Sequence, residues 1–272
     1  MKDLRDSLTN GEILLGSFIM SGSPVNIELS GYLGYDFVVI DCEHGSVSPY
    51  GMEMENLIRA SYAANISPLV RVIENNMSQI RKALDFGAKG IVVPFINTKE
   101  DAKRLVDACL FPPEGNRGRC PLVRAARFGV TGWSDFVERS NEDLIIMPII
   151  EKMEGVENLE EILSVKGINS ILFGPFDLAV ELGIKPKVGA AGSETLTMVS
   201  DPVINKHMEY IISTCKKRNV PLANVAWSIE SAIEMVDMGC QIIAFTDTSL
   251  FVEIAKKYID SVRSKLKRAE KK

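Results

Sequence analysis

A parallel eight-stranded α/β barrel is the fold class this sequence predicts, and three observations predict it. Eight short, β-branched apolar runs recur along the 272 residues. They are continuously apolar rather than alternating, the mark of strands buried on both faces of a parallel sheet. Segments with helical spacing lie between them, so strand and helix take turns along the chain. The count of eight favours closure into a barrel. No Gly-x-Gly-x-x-Gly turn follows any run, which counts against an open dinucleotide-binding sheet.

The elements follow in order. The run at 13–18 leads to a helix ended by Gly31 and Gly34, and the second run is 36–41. After the turn Ser48-Pro49-Tyr50-Gly51, Leu57, Ile58, Ser61 and Tyr62 mark one face of a helix. The third run, 67–72, leads to a helix that closes around Leu84-Asp85, and the fourth is 89–94. The longest irregular part is 110–131, with Pro112, Pro113, Pro121 and four arginines. Runs at 144–150, 169–173, 220–225 and 241–246 complete the set, with a helix over 202–218 that carries His207 as a surface residue. The closing helix is plain from Phe251, Ile254, Ala255, Tyr258, Ile259, Val262 and Leu266 at three- and four-residue steps. No linker or low-complexity stretch interrupts this, so residues 1–272 read as one domain, a normal size for such a barrel.

Composition narrows the function classes. A hydrophobic fraction of 46% with 25% charged residues is that of a water-soluble globular protein. No apolar run approaches the roughly 20 residues that span a bilayer. The start, Met1-Lys2-Asp3-Leu4-Arg5-Asp6, lacks a secretion signal's apolar core. The cytoplasm is the expected compartment. A net charge of −5 gives no reason to expect nucleic acid, and the basic residues at 265–272 read as a solvated helix end. The five cysteines are widely spaced without a Cys-x-x-Cys pair, which argues against a disulfide framework and a thiolate zinc site. Gly189-Ala190-Ala191-Gly192 has no Lys-Ser/Thr after it and is no P-loop.

In a barrel of this kind chemistry sits at the C-terminal ends of the strands, and charged residues gather there. The second run ends in Asp41-Cys42-Glu43-His44-Gly45, the third carries Arg71, the fifth ends at Glu151, the sixth runs into Gly174-Pro175-Phe176-Asp177, and the eighth ends at Thr246-Asp247. A histidine beside carboxylates suits general-base work near neutral pH; a hydrogen-bonded strand-end histidine is the plainer reading of His44. Glu151 and Asp177 are the pair suited to a metal. Two carboxylates without a spare histidine favour a hard divalent cation such as Mg²⁺ or Mn²⁺, although acids are also favoured in the first turns of helices. Arg71 within an apolar strand needs a carboxylate partner, whether Glu43, Asp41 or a bound acid.

Taken together these motifs resemble the HpcH/HpaI aldolase family of metal-dependent, class II pyruvate aldolases. The resemblance rests on Asp-x-Glu-His-Gly at 41–45, Val-Arg-Val at 70–72 and Leu-Asp-x-Gly-Ala-x-Gly-Ile-x-Val-Pro at 84–94. It continues through Phe111-Pro112-Pro113-Glu114-Gly115-Asn116-Arg117-Gly118, Ile150-Glu151, Gly174-Pro175-Phe176-Asp177-Leu178-Ala179, Gly183 and Asp247-Thr248-Ser249-Leu250. It implies a (β/α)8 barrel in a homo-oligomer, a hexamer in the family, that exchanges its last helix between subunits. It implies a divalent metal (Mg²⁺, Mn²⁺ or Co²⁺) on Glu151 and Asp177, with Arg71 steadying a 2-oxo acid. His44 would be the base, Asp41 the acid that orients it, and Asp85 an acid reaching it across a subunit contact. The backbone of Gly174, Pro175 and Phe176 would cradle the substrate carboxylate beside Asp177. The implied reaction cleaves a 4-hydroxy-2-oxo acid to pyruvate and an aldehyde. An oxaloacetate decarboxylase or a non-catalytic 2-oxo-acid-binding barrel are the alternatives. The sequence departs from the family at Ile149, where a glutamine is frequent, and at Phe176, where a small residue is. Loops at 110–131 and 185–200 are expected to set acceptor choice.

Overall fold

The computed structural model describes residues 1–130, 132–185 and 201–269. Its sheet is a closed barrel of eight parallel strands, each paired with its neighbours in chain order. The strands are β1 (Leu14–Ile19), β2 (Phe37–Asp41), β3 (Ser67–Arg71), β4 (Gly90–Val93), β5 (Ile145–Ile150), β6 (Ile171–Phe173), β7 (Leu222–Val225) and β8 (Ile242–Thr246). Every one falls within two residues of its expected run. Most of the loop expected at 185–200, with its Gly189–Gly192 segment, lies outside the described residues.

The helices are α1 (Leu4–Thr9), α2 (Pro24–Leu33), α3 (Met52–Ala63), α4 (Met77–Phe86), α5 (Lys99–Cys109), α6 (Trp133–Asp143), α7 (Met153–Glu157), α8 (Leu159–Ile162), α9 (Pro175–Glu181), α10 (Pro202–Arg218), α11 (Ile229–Met238) and α12 (Asp247–Ala269). Their starts carry recognisable caps. Ser23 and Asn76 accept from amides of the first turns of α2 and α4, and Thr98 with Asp101 forms a capping box on α5. No described helix is long and apolar enough to cross a membrane.

Two apolar layers hold the barrel. The outer one lies between sheet and helices, with Ile40, Val70, Ile91, Ile146 and Phe173 facing Met54, Ile80, Leu105 and Ile211. The inner one fills the barrel: Phe37, Val39, Leu69, Val92, Ile145, Met147, Ile149 and Leu172 pack inside it, and Leu4 and Leu8 of α1 close its N-terminal end. Strand side chains alternate with period two. The inward row that begins with Val39, Leu69 and Ile149 therefore continues to Asp41, Arg71 and Glu151 at the C-terminal mouth. Asp41 and Arg71 are register partners on neighbouring strands.

Candidate active site

The mouth is built around Asp41, which is 0% exposed. Arg71 donates to it twice, Nε to Oδ1 at 2.8 Å and Nη2 to Oδ2 at 2.6 Å. This side-on pairing resolves the question left by an arginine in an apolar strand. A second carboxylate, Glu43, lies 3.2 Å from Arg71 Nη1, and Phe18 underlies the guanidinium, 5.1 Å from its carbon to the ring centre. Burial lowers an arginine's pKa, but Asp41, Glu43 and Glu151 outweigh that and raise it, so Arg71 stays charged.

Asp41 also shapes the turn that carries His44. Its Oδ1 accepts from the amides of Glu43 (3.0 Å) and His44 (3.3 Å). The turn is tight enough that a Cβ on residue 45 would stand 2.3 Å from the Asp41 carbonyl oxygen, so Gly45 is required. Asp41 thus positions the histidine through its backbone. The imidazole itself is open to solvent, 60% exposed, with Nε2 3.7 Å from Glu43 Oε1. A hydrogen-bonded strand-end histidine is not what the structure contains: among the described residues the ring makes no hydrogen bond.

Glu151 stands across the mouth, 5% exposed. Its Oε1 accepts from the Phe95 amide at 2.8 Å, and Phe95 adopts a left-handed φ of 55° to present that amide. A bulky residue rarely adopts that region. Gly174 makes the room: a Cβ there would meet Glu151 Cβ at 2.6 Å. Of the expected carboxylate cradle, Gly174 N–H is already given to the Ile150 carbonyl at 2.9 Å, and Pro175 has no N–H. Among the described residues, the amides of Phe176 and Asp177 are the free donors at this turn, since α9 opens without a side-chain cap. The Phe176 ring packs edge-on against Trp227, 4.9 Å between centres. Ile149 is buried beneath Gly174 in the barrel interior.

The electrostatics follow from crowding. Burial, with Asp41 and Asp177 nearby, pushes the Glu43 carboxyl up to about 7 despite Arg71. Burial, with Asp177 and Glu43 nearby, pushes Glu151 up to about 7 despite the Phe95 amide and Arg71. Glu43 Oε2 is buried and makes no hydrogen bond. Three carboxylates thus share a space whose one guanidinium is already paired, and an oxygen-seeking dication fits that deficit. No group of three His, Cys, Asp or Glu among the described residues is spaced to enclose a metal by itself. The fit is to an ion held by two carboxylates with positions left for water and substrate.

A stability consequence carries a definite sign. Both glutamates hold protons in the folded state that the unfolded chain has lost above its ordinary value near 4.5. The metal-free protein is therefore expected to lose stability as pH rises from about 4.5 through about 7. A saturating divalent cation should flatten that fall, because it binds only the folded form. Thermal melts across this range, with and without Mg²⁺, test it; a metal-free melting point that climbs between pH 5 and 7.5 would refute the assigned crowding.

Other expected residues lie elsewhere. Asp85 sits in the last turn of α4, at the N-terminal end of the barrel, 3.3 Å from Arg117 Nη2. Asp247 accepts from the amides of Met20 and Ser21 and the amide group of Asn26, tying α12 to the β1 loop. Phe95, Phe18 and Trp227 were missed as members of the site. Only a Gly or Asn at 95 would have flagged the left-handed turn in the sequence.

Comparison with known proteins shows the family. The family model for HpcH/HpaI aldolase/citrate lyase matches residues 14–252. The 2-dehydro-3,6-dideoxy-6-sulfogluconate aldolase of Pseudomonas putida is 29% identical over 226 residues, 83% of this chain and 82% of that one. The 2-keto-3-deoxy-L-rhamnonate aldolase of Klebsiella pneumoniae is 34% identical over 183 residues, 67% of each. A crystal structure of a family protein from Burkholderia cenocepacia superposes with a TM-score of 0.86 at 27% identity, covering 97% of this chain and all of that one. The chain belongs to the HpcH/HpaI aldolase/citrate lyase family and is a carbon–carbon lyase of the class II pyruvate-aldolase type.

Proposed function

We propose that this enzyme cleaves a 4-hydroxy-2-oxo acid between C3 and C4, giving pyruvate or a close 2-oxo acid and an aldehyde. The observation that carries the reading is the mouth itself: Glu151 and Asp177 close to one another and to Glu43, Arg71 beside Glu43 and Glu151, and His44 on the rim. Glu151 and Asp177 would hold a divalent cation (Mg²⁺, Mn²⁺ or Co²⁺). When bound, it supplies Lewis-acid polarisation of the 2-oxo group, a contribution of several kcal/mol.

The chain's own groups do the rest. Arg71, kept cationic by Asp41 and Glu43, stabilises the negative charge that grows on the 2-oxo oxygen. The amides of Phe176 and Asp177 bind the substrate carboxylate at the start of α9. His44 Nε2 takes the proton of the C4 hydroxyl. The C4–O bond becomes the aldehyde carbonyl, and the C3–C4 electron pair moves to C3–C2 as the enolate of the 2-oxo acid. Protonation of C3, as His44 gives up the proton it took, completes the 2-oxo acid and restores the base. His44→Ala is expected to lose about 10²–10⁴-fold in turnover, the usual cost of removing a general base, while binding Mn²⁺ normally. A wild-type rate in that variant would remove His44 from the mechanism.

Pyruvate release from a panel of 4-hydroxy-2-oxo acids and oxaloacetate, with Mg²⁺, Mn²⁺ or Co²⁺ and with chelator, tests the reading. Metal-dependent cleavage of the hydroxy-oxo acids is the expected result. Release from oxaloacetate alone would make the enzyme a decarboxylase using the same enolate. Binding of pyruvate without turnover of anything would make it a binder, a reading consistent with Ile149 offering no amide to the substrate.

The same family reading makes the protein a homo-oligomer. Supporting it, α12 turns an apolar stripe to solvent, with Phe251 75%, Ile254 63% and Tyr258 69% exposed, and α11 buries no residue. Light scattering is expected to report several subunits, and F251E/Y258E to lower the number.

A further inference from the structure

The mouth has two unlike halves. Its charged groups come from the ends of β2, β3 and β5 and the start of α9, while the side over β7 and β1 is apolar. Along β7, Ala223 and Val225 belong to the inner layer, and Leu222 and the following Ala226 to the outer one. The alternation makes Trp227 the next inward position, above Val225 and over the mouth. Its backbone is fixed there, because the Trp227 amide donates to Ser231 Oγ at 3.0 Å within the cap of α11. The Phe176 ring meets the indole edge-on, 4.9 Å between centres with the planes at 85°. Both side chains are only partly buried, so they form a wall of the mouth rather than part of the core. Met20, just past the end of β1, packs on the same inner layer.

This wall adjoins the carboxylate site proposed above, since Phe176 gives its amide to that site and its ring to the wall. The C2 of a 2-oxo acid is planar, with three substituents pointing apart. Its carboxylate lies on the amides of Phe176 and Asp177, after β6, and its 2-oxo oxygen turns to Arg71, on β3. The strands follow one another around the barrel in chain order. C3 is therefore left the remaining arc, from β7 round to β1, which is the apolar half.

We propose that Trp227, braced by Phe176, is the wall that sets donor specificity. It admits an unsubstituted C3 and rejects one that carries a further carbon, so the 2-oxo acid released is pyruvate and not a longer homologue. This rests on the 2-oxo-acid reading above and narrows it. The physical reason is packing. A braced aromatic pair has few other places to go when a methylene is added against it.

Isothermal titration of the Mg²⁺-loaded full-length protein with pyruvate and with 2-oxobutanoate, in separate arms, tests this without turnover. One methylene in such a pocket is worth roughly 10–200-fold, so pyruvate is expected to bind at least about tenfold more tightly. W227L and F176A should each gain on 2-oxobutanoate until the two affinities lie within about threefold. F176L, nearer in bulk, should keep most of the preference. A merely structural role would weaken both acids in proportion and leave their ratio unchanged, a result that overturns the proposal. A wild type that binds the two acids alike overturns it as well. If that wild type still releases pyruvate from the hydroxy-oxo acids, the lyase reading stands and only the wall falls. Binding of neither acid would remove the 2-oxo-acid reading itself, and the wall with it.

Discussion

Asp177→Asn and Glu151→Gln are each expected to lose divalent-cation binding and about 10³-fold in turnover. The size follows from the chemistry: several kcal/mol of Lewis-acid stabilisation vanish from the transition state, and each 1.4 kcal/mol is a factor of ten. The two variants should differ in stability. Glu151 is buried, crowded by Asp177 and Glu43, and pushed up to about 7. Replacing it with a neutral amide removes a group that resists ionising there, so Glu151→Gln should be no less stable than the metal-free wild type at pH 8. The Phe95 amide keeps an acceptor in the Gln carbonyl. Titration with Mn²⁺, followed by paramagnetic resonance, and pyruvate release measured on the same samples check both halves. Full activity in either variant would mean that the cation is held elsewhere.

Arg71→Met is expected to be the most damaging single change, because it fails twice. On the proposed mechanism it removes the cation that would stabilise the enolate, and it strands Asp41. That carboxylate has no solvent contact, and without Arg71 it keeps only the amides of Glu43 and His44. Breaking a buried pair from one side typically costs about 3–5 kcal/mol, or roughly 10 °C in melting temperature for a chain of this size. Asp41→Asn in the same background should restore much of the stability and none of the turnover. A double-mutant cycle separates the two roles. If Arg71→Met melts like the wild type, the ion pair is not what holds this end of β2 and β3 together.

The contrast between these residues shows what a sequence can carry. The eight strands were legible because a parallel barrel strand is buried on both faces, and that demand writes itself as a local apolar run. Glu151, Asp177, Arg71 and His44 were legible because the fold gathers strand ends at one mouth, so position on a strand implies position in space. Asp85 shows the limit. Its motif matched, and the alternation of strand and helix already puts the end of its helix at the face opposite the mouth, where within one chain it meets Arg117; what one chain's sequence does not carry is which residue of another subunit it would face. Phe95 was illegible for another reason. Nothing about a phenylalanine announces a left-handed φ; it is imposed by the Glu151 acceptor and the surrounding packing.

The sequence by itself determined the number and order of strands, the closed parallel architecture and the set of acids and bases at its mouth. Each of these depends on burial or alternation, which act over a few neighbouring residues. The tertiary structure alone decided the partners. Arg71 closes on Asp41 rather than only on Glu43, Asp41 holds His44 by its backbone rather than its ring, and three carboxylates crowd until two of them resist ionisation. Those outcomes turn on distances of a few ångströms between strands far apart in sequence, and on a low-dielectric interior that makes such distances count.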